Sequence, residues 1–167
     1  MTDALERRIV RDAVTLDRSG IAAGRALHSA VGVAAPLAIG VAAGRVLEGV
    51  AVAGGALMVG FADLGSPYRV RTQVMLTASI AMAFSSFVGL IGGRHDWLAV
   101  LLMGVWGLIA GLSVALGQVP AFLGLLSGLA LLLAEDVPTD VREALRRAAL
   151  VLAGGLLQTL LAVMVWP

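Results

Sequence analysis

One stretch, Gly60-Phe61-Ala62-Asp63-Leu64-Gly65-Ser66-Pro67-Tyr68-Arg69-Val70-Arg71, gathers the charges best suited to chemistry. A carboxylate and two guanidiniums flank a turn made by Gly65, Ser66 and Pro67. An arginine offers two N–H groups to a carboxylate, so Asp63 with Arg69 or Arg71 would form a closed gate that an arriving anion opens by competition. The blander alternative, and the default for Arg71, is a charge snorkelling to water from a helix end. A second cationic group, Arg142, Arg146 and Arg147, lies on one side of the last helix and would form the opposite mouth. No catalytic constellation accompanies either group. His28 and His95 stand far apart without metal-ligand spacing, and His28 reads as a packed or interfacial histidine before a proton relay. With no Cys there is no thiolate chemistry, and no Ser-His-Asp set, phosphate loop or HExxH occurs. The expectation is a protein that is not an enzyme and holds no cofactor or metal.

Long apolar blocks separate these charges, at about 26–44, 49–62, 72–92, 97–116, 119–134 and 148–166. A run of about 18 or more apolar residues can cross a bilayer as a helix. Hydrophobic residues make up 59% of the chain and charged residues only 14%, too little polar surface to coat a water-soluble globule. Lipid forbids unpaired backbone, and no alternating pattern marks barrel strands. The expected fold is therefore all-α: a polytopic membrane bundle of about six transmembrane helices over residues 20–167. Residues 1–19 form a separate region. Within it, 3–18 read as an amphipathic helix on the membrane surface, with Leu5, Ile9, Ala13 and Leu16 on one face. The charge-rich start does not resemble a cleaved signal peptide. A net charge of +1 without a clustered basic face gives no case for nucleic acid.

The second and fifth blocks are short, spanning about 21 and 24 Å as helices. Short helices at matching places in two halves point to a transport site. The sixth helix starts before its apolar run, with Asp140 and Glu143 at N-cap and N3 spacing after Pro138. Pro36 sits inside the first helix and should kink it. The pairs Gly40–Gly44, Gly89–Gly93, Gly107–Gly111 and Gly124–Gly128 have the spacing that lets helix backbones approach closely in lipid. Gln73, Ser85, Ser86, Gln118 and Gln158 read as helix–helix hydrogen-bond partners. Arg94-His95-Asp96 reads as a polar turn, with Trp97 and Trp166 as interfacial anchors. Seven arginines fall on one side of the expected membrane and five on the other, a weak bias that favours cytoplasmic N- and C-termini. Ala62-Asp63…Pro67-Tyr68-Arg69-Val70-Arg71 is similar to Ala134-Glu135…Pro138-Thr139-Asp140-Val141-Arg142. Three crossings apart, the two would face opposite sides, as in an inverted repeat, but chance is the preferred reading of so short a similarity.

The stretch 60–71, set between helices rich in Gly, Ala and Leu, resembles the fusaric acid resistance protein family, which is related to bacterial aromatic acid exporters. The resemblance covers about 20–167, that family's N-terminal six-helix membrane module. It implies an inner-membrane exporter of small organic anions such as aromatic carboxylates, often dimeric, with the motif's acid and arginines at Asp63, Arg69 and Arg71. Many members continue into a cytoplasmic region and a second helical block; the sequence stops at Trp166-Pro167, about where such members pass into the cytoplasm, as a truncated piece or a naturally short half would. The expectation is a homo-oligomer, a dimer favoured, in the lipid bilayer. The alternatives are a non-transporting anchoring or dimerisation module, or one half of a larger transporter.

Overall fold

The computed structural model describes residues 23–62, 68–135 and 139–165. Among them every regular element is a helix: α1 (Ala23–Ala42), α2 (Val46–Phe61), α3 (Tyr68–Gly92), α4 (Asp96–Ala115), α5 (Gln118–Glu135) and α6 (Val141–Val165). The segments 69–92, 96–115 and 141–164 are long and apolar enough to cross a bilayer, as a membrane protein requires; the apolar parts of α1, α2 and α5 are shorter. The expected surface helix at 3–18 lies outside the described residues.

The local punctuation follows from particular residues. Gly44, at φ +67°, ends α1, and the Arg45 N–H closes back on the Gly40 carbonyl at 2.8 Å, a helix stop that needs a left-handed residue. α1 continues through Pro36. Asp140 caps α6 as its spacing predicts, accepting a 3.2 Å hydrogen bond from the Glu143 N–H. The apolar blocks understate α3 and α6, because both helices begin with polar turns that hydropathy does not register. His95, extended at φ −136°, turns the chain into α4, and Arg94, His95 and Trp97 are exposed.

Side-chain size is distributed inside out. The interior is built largely of small residues, among them Ala53, Ala56, Ala78, Ala144 and Ala162, while Leu47, Trp97, Val100, Leu108 and Leu116 face outward. In water such a surface would aggregate. In lipid, large side chains facing outward cost nothing, and small ones inside let the helices approach closely. α2 and α6 show this best. A Cβ on Gly55 would overlap the Val151 carbonyl, and one on Gly154 would overlap that of Val52.

Over the described residues the six helices divide into two halves of similar helix length: 20, 16 and 25 residues, then 20, 18 and 25. The packing repeats as well. α1 lies on α2 and α2 on α6; α4 lies on α5 and α5 on α3. Each half thus seats its first two helices against the other half's third, and α3 and α6 cross at the centre, where Ser79 meets Gly155. The polar ties match too. Ser85 is the eighteenth residue of α3 and accepts a hydrogen bond from Trp106 of α4 at 3.0 Å. Gln158 is the eighteenth residue of α6 and donates to Ser29 of α1 at 3.5 Å. With three helices per half, the halves run in opposite directions. One end of the bundle holds the starts of α2 and α6; the other holds the starts of α3 and α5.

Candidate functional site

α2 and α6 are parallel, so their first turns lie side by side at one end. Glu48 follows Arg45 by one turn and pairs with it at 2.9 Å. Arg146, from α6, reaches the same Glu48 carboxylate at 2.6 Å and also holds Glu143 at 2.7 Å through Nε and 2.8 Å through Nη2. Arg147 donates to Glu143 at 2.9 Å. Arg146 is thus the bridge between the two helices. These pairs are half-exposed, and ion pairs of that kind contribute up to about 1 kcal/mol each. Their larger effect is geometric, since they hold three guanidiniums around one opening.

Behind the opening lies a groove of about 680 Å³, a size that suits a small organic ligand. It runs between α2 and α5, with α3 and α6 as its back. These are the two short helices, about 24 and 27 Å long. Val50, Ala51 and Gly54 form the α2 wall and Leu133 the α5 wall; Met58, Met82, Ala130 and Val151 make the floor. Ser86 is the hydroxyl that α3 contributes. The mouth carries Arg45, Arg146 and Arg147 against Glu48 and Glu143, an excess of one positive charge. The chemistry on offer is a cationic rim over an apolar interior, complementary to a carboxylate on an aromatic or aliphatic body. Met58 and Met82 add adaptable, polarisable surface.

The floor is also the roof of a packed cluster that fills the opposite end. Val59 of α2 and Ala62 just after it, Met75 and Ala78 of α3, Leu126 of α5 and Ala162 of α6 are buried there, with Phe122 and Leu123 against them. The structure therefore separates the site residues expected from sequence. Arg146 lines the groove mouth; Arg142, one turn earlier on α6, is exposed and does not line it. Arg69 and Arg71 begin α3 at the far end, Arg69 exposed and Arg71 buried. Asp63, their expected partner, lies outside the described residues. Arg45 and Glu48 were not singled out from sequence. Their i,i+3 spacing between two apolar blocks was the available signal, but nothing local linked them to Arg146.

Ser85 and Gln158 make the interhelical hydrogen bonds expected of them, whereas Ser86 faces the groove, and Gln73 and Gln118 are exposed. The glycine pairs divide similarly. Gly40, Gly89 and Gly124 sit at helix crossings, where an added Cβ would meet a neighbouring backbone. Gly107 and Gly111 of α4 face open space. Among the described residues no group of three His, Asp or Glu is placed to hold a metal ion. No protein-family profile, curated protein or solved structure matches this chain.

Proposed function

We propose that this chain is a six-span inner-membrane transporter of the efflux type for small organic anions, aromatic carboxylates foremost, with the groove between α2 and α5 as its binding site. The observation that carries this reading is the groove itself, a cavity of about 680 Å³ with an apolar interior and three arginines at its mouth. An amphipathic anion would place its carboxylate among Arg45, Arg146 and Arg147, displacing Glu48 or Glu143 from one of them, and its ring against Val50, Met58 and Leu133. The resemblance of residues 60–71 to the fusaric acid resistance family points to the same substrate class. Six crossings follow if α1, α2 and α5 extend their short apolar stretches with flanking residues or lie partly inside the bundle. Both termini then lie on the cytoplasmic side, and the groove opens away from it.

A homo-oligomer fits the surface of α4. None of its residues is buried, and Gly104, Gly107 and Gly111 lie open, leaving room for a second helix backbone at close range. The same surface favours the second reading, a membrane-anchoring or dimerisation module that transports nothing.

Flux of labelled benzoate through liposomes containing the purified chain separates the two readings. The transporter reading predicts flux that falls about tenfold or more in Arg146→Ala, the equivalent of about 1.4 kcal/mol of lost interaction. It also predicts a smaller fall in Arg142→Ala, whose side chain stands off the groove. An absence of flux from folded oligomers across several organic anions would leave the anchoring module as the account.

A further inference from the structure

We propose that the packed cluster at the α3/α5 end is the closed form of a second anion site, the counterpart of the open groove, and that the two are alternating mouths of one pathway between α2 and α5. This rests on the groove being the site for an organic anion.

The argument begins with position. Counting from the helix starts pairs residues of equal rank in the two halves. Val50, Ala51 and Gly54, the open wall of α2, then correspond to Phe122, Leu123 and Leu126 of α5, the fifth, sixth and ninth residues in each case. Val151 of the groove corresponds to Ala78 of the cluster, each eleventh in its helix. Met58 and Ala130, both thirteenth, exchange with one another, and both lie in the floor shared by groove and cluster. The same place is therefore empty at one end and filled by side chains at the other.

What fills it is side chain and not backbone. α2 and α5 are not a principal packing pair; α2 lies on α6 and α5 on α3. The close backbone crossings lie within those pairs, at Gly55 and Gly154 on one side and at Gly89 against Leu131 on the other. The helices group as α1–α2–α6 and α4–α5–α3, and the two groups meet along α3 and α6, which pack on each other as extensively as the helices within each group and cross near Ser79 and Gly155. Rocking one on the other about that crossing would close the groove and part the cluster, breaking side-chain contacts and no helix. Phe122, Leu123 and Leu126 then act as the gate.

The far end also has its cation. Arg71 is 9% exposed. It lies on the same α3 face as Met75 and Ala78, which stand four and seven residues on and belong to the cluster. Buried arginines among membrane-spanning helices mark ion and substrate paths. Arg71, two positions earlier in α3 than Arg146 is in α6, would receive the carboxylate at this end as Arg146 would at the other.

The chain has no Cys, so single cysteines report access cleanly. The experiment is labelling of Val50→Cys and Ala78→Cys in liposomes with a membrane-impermeant maleimide, applied from each face, with and without benzoate. Val50→Cys should label from the groove face and be protected by benzoate. Ala78→Cys should be nearly inert without benzoate, and its labelling from the Arg71 face should rise about tenfold when benzoate is supplied there, as expected when a ligand populates a minor state. Leu126→Ala should raise it without ligand. Should Ala78→Cys fail to fold, Ala62→Cys, at the edge of the same cluster, is read by the same criteria. Protection of Val50→Cys, with the cluster cysteine inert under every condition including Leu126→Ala, would overturn the second site and leave the groove intact. Failure of benzoate to protect Val50→Cys would remove the groove reading and this proposal with it.

Discussion

The two ends of this bundle share a helix order and a packing scheme and differ in the side chains they carry. At the α2/α6 end, Val50, Ala51 and Gly54 leave a groove under a cationic rim. At the α3/α5 end, Phe122, Leu123 and Leu126 fill the equivalent space. Helix length and packing order are alike in the two halves, so they cannot account for the difference. Side-chain volume on α2 and α5 does. Small residues at a helix crossing hold the bundle together, and small residues one position away make a cavity. The neighbours Gly54 and Gly55 show this within one turn: the first faces open space in the groove wall and the second touches the Val151 backbone.

That contrast is open to direct attack. Gly55→Leu would drive a side chain into the α6 backbone and separate α2 from α6, costing more than about 3 kcal/mol. Size-exclusion chromatography in detergent should show aggregated protein. Gly54→Leu, one residue away, should remain monodisperse. A folded Gly55→Leu would mean that α2 and α6 do not approach as described.

Leu126→Ala tests the filled end. It removes volume from a buried site and should lower stability by about 2 to 3 kcal/mol, near the low end for such truncations because lipid offers little hydrophobic penalty. Gly54→Ala, its counterpart in the open wall, should be neutral or slightly stabilising, since it adds helix propensity without contact. Denaturant titration of the two variants should separate them; equal effects would mean the two ends are not differently packed.

The smallest effect concerns how each first helix is tied down. Ser85→Ala removes the acceptor for Trp106 and should cost about 1 kcal/mol, while Trp106→Phe keeps the ring beside Phe84, 6.1 Å away, and loses only the donor. Both should shift the melting temperature down by similar small amounts if the hydrogen bond, and not the ring packing, is the tie.

Much of this architecture was legible in the residues. The apolar blocks located all six helices, because in an apolar surround nearly every helical position outside the caps is hydrophobic. Asp140 with Glu143 marked the start of α6 through cap chemistry, and the short second and fifth blocks pointed to the helices that flank the groove. The faint likeness of 62–71 to 134–142, for which chance is the preferred reading, falls partly outside the described residues; the likeness of the two halves is read instead from helix order and packing. The site was less legible. Asp63, Arg69 and Arg71 drew attention because they are neighbours in sequence, and Asp63 falls outside the described residues. The mouth of the groove instead joins Glu48 to Arg146 across most of the chain. Only the parallel pairing of α2 and α6 brings them together, and no local pattern encodes that pairing. Nor could hydropathy separate Gly54 from Gly55, since the two differ only in what stands opposite.

The central claim is that the groove binds an organic anion, and calorimetric titration of benzoate into the purified protein, wild type beside Gly54→Leu, tests it most directly. The new leucine would occupy the groove as Leu126 occupies its counterpart, without touching the rim charges. Saturable binding to the wild type, weakened tenfold or more (about 1.4 kcal/mol) in a Gly54→Leu protein that still folds, is the predicted result. Equal binding by both proteins, or none by a folded wild type, would contradict it.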